Sequence, residues 1–234
     1  MNAATTLDRG QQAPRLSPGR LVTFEGGEGG GKTTQIMRLA EKLAAAGIMA
    51  ITTREPGGTP TAEAVRRFLL SGAAKSLGAE GEAVLFAAAR ADHIDSLIRP
   101  ALKRGEWVLC DRFTDSTRAY QGAAGVDEAL LDALERITVW PTTPDVTIIL
   151  DIPVEIGMIR ANRRAANAGA LPDRFESDSM DEQRHRREVF LDIARREPKR
   201  CVVVDASRPE SEVAIAIWRE ISTRLNITDE TVNG

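Results

Sequence analysis

From residue 20 onward, short runs of apolar and β-branched residues alternate with longer stretches whose apolar positions recur at helical spacing. Strands are predicted at residues 21–25, 49–53, 107–110, 146–150 and 201–204. Helical patterns cover 33–46, 61–70, 80–103, 126–138, 154–166, 180–196 and 209–225, with Gly47 stopping the first of them. Parallel strands need long crossovers, and those crossovers become the layers that cover a sheet. The expected fold is therefore α/β, a five-stranded parallel sheet with helices on both faces. Residues 165–178 (AANAGALPDRFESD) break the pattern by mixing Gly, Pro, Asn and charge between two arginine-bearing helices. Residues 1–19 and 227–234 are polar, so the first is expected to be a disordered extension and the second a flexible tail. A single domain over residues 20–226 remains.

Composition narrows the picture by exclusion. The hydrophobic fraction of 42% is ample for one core, and 31 basic against 34 acidic residues give a net charge of −3. That balance argues against a general nucleic-acid surface, so any phosphate binding must be local. No apolar run approaches the roughly 18 residues that span a bilayer, and residues 1–20 lack the apolar stretch of a signal peptide. A soluble, cytoplasmic protein without membrane contact is expected. Cys110 and Cys201 sit beside strand-like runs without metal-ligand spacing and read as small buried hydrophobes, which suits a reducing compartment. His93 and His185 lie in helical, charged surroundings and read as surface residues.

Candidate chemistry begins where the first strand runs into Gly26, Gly27, Glu28, Gly29, Gly30, Gly31, Lys32, Thr33 and Thr34, a G-x-x-x-x-G-K-T pattern that opens a helix. Glycines let the backbone wrap closely around phosphates, and the amides and helix N-terminus face the anion. Lys32 can reach the β and γ phosphates, and Thr33 Oγ1 can ligate magnesium. A bound nucleoside triphosphate, ATP as the expected donor, with Mg2+ follows. The motif alone does not say what it serves, because switches, motors, ATPases and small-molecule kinases share it.

Four further segments speak to the acceptor: TREPGGT at residues 53–59 followed by AEAVR at 62–66; EAVLFAAAR at 82–90; DRF at 111–113 with STRAYQG at 116–122; and DRFE at 173–176. Asp111 and Arg112 fall at the end of a predicted parallel strand, where ligand sites of open α/β sheets gather. There an acid can support magnesium and an arginine can grip a phosphate, although such a pair can also be a structural ion pair. Phe86 and Arg90 are four apart on a predicted helix and share a face, so a ring can stack on a base while the guanidinium donates to a carbonyl oxygen. Taken alone, Phe86 reads equally as a core residue.

In their order and separation these segments resemble the thymidylate kinases, nucleoside monophosphate kinases that phosphorylate dTMP, over about residues 20–225. The resemblance implies the P-loop nucleoside monophosphate kinase fold and a short lid at about residues 163–178. It also implies ATP-dependent conversion of dTMP to dTDP in dTTP synthesis. Through it, Arg66 and Arg112 become clamps on the acceptor phosphate, with Arg54 nearby and Ser116 within the third segment. Phe86, Arg90, Thr117 and Gln121 become contacts to the pyrimidine, and Tyr120 the ring against the sugar. Glu28 resembles an acidic position near the acceptor sugar or the metal, and Thr33 with Asp111 the metal site. Glu25 reads as a structural anchor of the strand end.

The loop carries no basic residue at Gly29 or Gly30, where some members place one. The resemblance instead points to the lid: among Arg160, Arg163, Arg164 and Arg174, the pair Arg164 and Arg174 would join Lys32 and Arg112 as catalytic charges. Phosphoryl transfer depends on positioning and charge neutralisation, so such a relocation is chemically sound. A homodimer formed by packing helices is usual for the family, and the Ala-rich helix around residues 86–91 would suit it. Rival readings are a kinase for another nucleoside monophosphate, or a weakly catalytic nucleotide-binding switch.

Overall fold

The computed structural model describes residues 18–168 and 178–227. Five strands, β1 (Leu21–Glu25), β2 (Ala50–Arg54), β3 (Trp107–Asp111), β4 (Val146–Asp151) and β5 (Cys201–Asp205), form one parallel sheet in the order β2-β3-β1-β4-β5. Around it lie α1 (Lys32–Ala45), α2 (Pro60–Leu70), α3 (Gly78–His93), α4 (Arg99–Lys103), α5 (Thr114–Thr117), α6 (Glu128–Thr138), α7 (Val154–Ala168), α8 (Met180–Arg196) and α9 (Glu210–Arg224).

Period-2 alternation of each strand separates two cores. Val22, Phe24, Leu109, Ile148, Leu150, Val202 and Val204 face one side, against Ile36, Leu39 and Leu43 of α1 and Val213, Ile217 and Ile221 of α9. On the opposite face Leu21, Val108 and Cys110 meet Ile94, Ile98 and Ala101, while Ile149 and Cys201 meet Phe190, Ile193 and Ala194 of α8. Both cysteines are buried and free, as their surroundings in the sequence suggest. Each fully buried large side chain contributes about 1.5–3 kcal/mol by transfer from water, and Phe24, Leu43, Leu109 and Ile148 are among them. β1 sits between β3 and β4, so the crossovers on either side diverge there and open a crevice at the strand ends.

The boundaries differ from expectation in instructive places. β3, β4 and β5 each run one residue past the apolar run, to Asp111, Asp151 and Asp205, because the ladder continues where hydrophobicity ends. The second strand is displaced by one residue and closes on Arg54, in register with Asp111. The long helical pattern at 80–103 is broken by a wide, π-type turn at Ile94–Ile98 before α4. Pro100 explains it: the ring has no N–H to donate to Ser96 and would crowd that carbonyl in a regular helix. α5 and a second wide turn at Arg118–Gly122 carry no amphipathic signature and were not expected from periodicity.

Candidate active site

The chain leaves β1 through Gly26 and enters α1 at Lys32. Gly26 sits at φ 121°, and a Cβ there would lie 2.4 Å from the Leu150 carbonyl oxygen. Gly29, at φ 68°, presses against α7: its Cβ would fall 1.9 Å from the carbonyl oxygen of Gly157, and a Cβ on Gly157 would in turn lie 2.5 Å from that of Glu28. Both the left-handed backbone and the backbone-to-backbone approach therefore require glycine. Lys32 is buried and donates to the carbonyls of Gly26 at 3.0 Å and Gly27 at 2.9 Å, which folds the loop around its own cation. Burial, assisted by the Arg112 guanidinium, lowers the Lys32 pKa.

At the end of β3, Thr33 Oγ1 donates to Asp111 Oδ2 at 2.9 Å, so two oxygen ligands converge beside Lys32. Such a hard-oxygen pair suits a magnesium ion that arrives with a nucleotide and takes its other ligands from phosphate and water. Among the described residues no cluster of three or more His, Cys, Asp or Glu side chains could hold a metal by itself.

Arg112 follows in the left-handed region at φ 68°, a strained backbone for a residue with a Cβ. Its Nη2 donates to Glu28 Oε1 at 2.5 Å, its Nη1 to Gly26 O at 3.3 Å and Ser116 Oγ at 3.2 Å, and its guanidinium lies 5.0 Å from the Tyr120 ring centroid. The Tyr120 hydroxyl donates to the same Glu28 oxygen at 2.9 Å. Burial by itself would raise the Glu28 carboxyl, but Arg112, Lys32 and Tyr120 outweigh it and hold the group down at about 2. Glu28 is thus the bridge between the phosphate loop and the Arg112–Tyr120 pair.

What holds the strained turn is Glu25, the anchor expected from its place at the strand end. Its Oε1 accepts from the amides of Phe113 (2.7 Å) and Ser116 (3.2 Å), and its Oε2 from Ser116 Oγ (2.6 Å). Burial, then the Asp115 charge, raise its carboxyl to about 7. Asp115, fully buried, is gripped by Arg200 through bonds of 2.7 and 3.0 Å, and Arg200 also donates to Thr147 at 2.6 Å. This ties α5 to the sheet and fixes where Ser116 and Thr117 point.

One cleft of about 530 Å³ runs from Gly29, Lys32 and Thr33 past Arg112 to Phe86 and Arg90. Arg54, Arg66, Ser116, Thr117, Tyr120, Gln121 and Arg164 also line it, so most of the sequence-selected residues among those described come together, while Gly26 and Gly27 line a smaller hollow beside Asp151, and Arg163 lies on the outer side of α7 with Arg160. Arg66 Nη1 donates to the Pro56 carbonyl at 2.9 Å, and exposed Arg54 pairs with Glu63 at 3.0 Å. Phe86 is half-buried, whereas Arg90 is 4% exposed. Arg160 is tied to the carbonyls of Ala206 (2.8 Å) and Ser207 (3.3 Å) and does not line this cleft. Arg174 and most of the expected lid lie outside the described residues.

The surface assignment of His93 is overturned. Its side chain is 0% exposed, and Nδ1 lies 3.0 Å from Glu55 Oε1. Charged neighbours in the sequence had suggested solvent, but Arg90 is itself buried on the same face of α3 and Asp92 turns aside to bond with Thr59. His185 is exposed, as expected. Sequence reasoning also passed over Glu55, which takes a 2.6 Å bond from Arg90 Nε, and Arg186, which is buried, paired with Asp178 and 4.5 Å from the Tyr120 ring centroid. A signal for Arg186 existed: it continues the buried stripe Gln183, Phe190 and Ile193 of α8 at helical spacing.

A parallel sheet with a phosphate loop at its switch point, opening into an arginine-lined cleft wide enough for a second nucleotide, belongs to the P-loop nucleoside monophosphate kinases. A family model described as "Thymidylate kinase" matches residues 24–217. A thymidylate kinase of Rhodopseudomonas palustris is 56% identical over 209 residues, covering 88% of this chain and 90% of the relative. Those of Nitrobacter hamburgensis (51% over 224 residues, 94% and 96%) and Afipia carboxidovorans (53% over 218 residues, 92% and 95%) are similar along nearly their whole lengths. The chain belongs to the thymidylate kinase family, whose reaction is the ATP-dependent phosphorylation of dTMP to dTDP.

Proposed function

We propose that this chain performs the family reaction with a donor half made by Gly26–Thr34 and an acceptor half made by Arg54, Arg66, Phe86, Arg90, Arg112, Ser116, Thr117, Tyr120 and Gln121. The observation that carries the proposal is the single cleft lined by residues 28–34 of the loop and by the whole acceptor set. Lys32 holds the β and γ phosphates once a nucleotide displaces the loop carbonyls it now contacts. Arg66 and Arg112 hold the acceptor phosphate, whose oxygen attacks in line. That oxygen is already ionised, so no strong general base is needed. Magnesium would be held by Thr33 and Asp111 and would supply charge neutralisation on the phosphate oxygens. Arg164, beside Glu28 in the cleft, and Arg174 supply the charge that the glycines of the loop do not, and lid closure excludes competing water.

Phe86 stacks on the pyrimidine, Arg90 donates to a ring carbonyl, and Tyr120 packs against the sugar. Glu28 orients Arg112 and Tyr120 from the loop side, which explains an acid inside a phosphate-binding turn. The domain spans residues 20–226, with a lid at 163–178. A cytoplasmic homodimer completes the proposal; exposed Val84 on α3, with Phe68 and Ile137 on the α2 and α6 that pack against it, supplies apolar surface for the second copy. No helix among the described residues is long and apolar enough to cross a membrane. Purified protein should release ADP from ATP and Mg2+ only when dTMP is present. Efficient conversion of dUMP, CMP or AMP without conversion of dTMP overturns the specificity.

A further inference from the structure

α3 presents Phe86, Arg90 and His93 at i, i+4 and i+7, one continuous helix face. The first two line the cleft; the third lies behind it. Arg90 Nε donates to Glu55 Oε2 at 2.6 Å, and its Nη2 donates to Thr117 Oγ1 at 2.8 Å and to the Phe113 carbonyl at 3.1 Å. Glu55, 5% exposed, has its other oxygen 3.0 Å from His93 Nδ1, and His93 Nε2 is 2.7 Å from Thr53 Oγ1. A carboxylate only accepts, so Nδ1 carries the hydrogen; in the neutral ring Nε2 then accepts from the Thr53 hydroxyl. Thr53, His93, Glu55 and Arg90 form one buried chain in which each member sets the direction of the next.

The turn after β2 is shaped around this chain. Gly58 adopts φ 86°, and a Cβ there would lie 2.5 Å from both His93 Nε2 and Thr53 Oγ1. Beside it, Thr59 Oγ1 donates to Asp92, binding the start of α2 to the helix turn that carries His93. A guanidinium in an open pocket would swing among rotamers, and each donor direction would be lost part of the time. Here three of its bonds are made to groups that are themselves buried and held.

We infer that Glu55 and His93 are positioning residues that aim Arg90 at the pyrimidine. They thereby set the preference for a base bearing a ring carbonyl over one bearing an amino group at the same place. The inference rests on the proposed role of Arg90 in the acceptor half. A fixed donor rewards a carbonyl and leaves an amino group facing another donor, the kind of mismatch a buried polar site rejects strongly. The methyl group of thymine is read by packing and does not depend on this chain.

The test compares dTMP, dUMP and dCMP as acceptors in steady-state kinetics. Uracil lacks only the methyl of thymine, and cytosine additionally replaces a carbonyl by an amino group. His93→Leu should raise KM for dTMP about tenfold and lower the dUMP over dCMP preference about tenfold, the scale of one hydrogen bond to a charged group. The kcat, KM for ATP and dTMP over dUMP ratio should stay within about twofold. His93→Asn keeps a donor near the Nδ1 position and should recover most of the loss. If His93→Leu does not fold, Glu55→Gln is measured instead, with the same split expected. Unchanged KM for dTMP and unchanged base preference overturn the inference, and so does a uniform loss in kcat and both KM values, the mark of a merely structural residue. Wild-type protein that neither binds nor converts dTMP overturns instead the acceptor-site reading beneath it.

Discussion

The two halves proposed for the cleft are built from different materials. The donor half is backbone: six consecutive loop residues, five of them glycine, held by carbonyls that fold onto Lys32. The acceptor half is side chains: Arg112, Tyr120, Ser116 and Arg90, each fixed by a carboxylate, half-buried Glu28 or buried Glu25 and Glu55, supplied from another part of the chain. A loop that binds through amides serves any nucleoside triphosphate, because the phosphates are common to all. Recognition of one base needs donors at fixed directions, and crosslinked side chains can provide them.

Substitutions that strike one half and leave the other intact should break this contrast most visibly at Lys32. Lys32→Ala should lower kcat by about 10²–10³-fold, the scale of removing one preorganised donor, while equilibrium binding of dTMP stays close to wild type. Arg112→Lys comes next. A point charge cannot reproduce contacts to Glu28, Gly26 and Ser116 at once. Its kcat/KM for dTMP should fall about 10–100-fold, with KM for ATP little changed. A matching loss in KM for ATP would dissolve the distinction between the halves.

Glu25 and Glu28, three residues apart, sharpen it through pH. Glu28, lowered from 4.5 to about 2, contributes stability that is present above pH 4.5 and is lost as pH falls toward 2. Glu25, raised to about 7, runs the other way, its contribution fading as pH climbs from 4.5 through 7. Chemical denaturation across this range should therefore show Glu28→Gln flattening the acid limb and Glu25→Gln the limb between pH 4.5 and 7. The smallest effect is expected at Arg54→Ala. Its partner Glu63 is a third exposed and Arg54 itself more than half exposed, so stability should change by less than about 1 kcal/mol.

Legibility in the sequence follows the same division. The phosphate loop, the five strands and every long helix could be read because each is written in consecutive or periodic residues. Arg66, Phe86, Arg90 and Thr117 were reached because their segments resemble a family, and the cleft brings them together. His93 was misread and Glu55 and Arg186 overlooked, because a buried polar residue announces itself only through a partner distant in sequence. Glu55 lies 35 residues from Arg90 and 38 from His93. Helical phase alone held a trace of two of them: His93 continues the face of Phe86 and Arg90, and Arg186 the stripe of Phe190. Strand ends slipped by a residue for a related reason, since ladder bonds continue through Asp111, Asp151 and Asp205 where side-chain hydrophobicity stops.

Gly29 and Gly157 meet with no side chain between them, a peptide of the phosphate loop laid directly on the first turns of α7. The helix that carries Arg164 is therefore keyed to the loop like a lever set on its fulcrum. A methyl group at either glycine would act as a shim in that bearing, prising loop and helix apart, so the outline of the loop and the seat of α7 are set together.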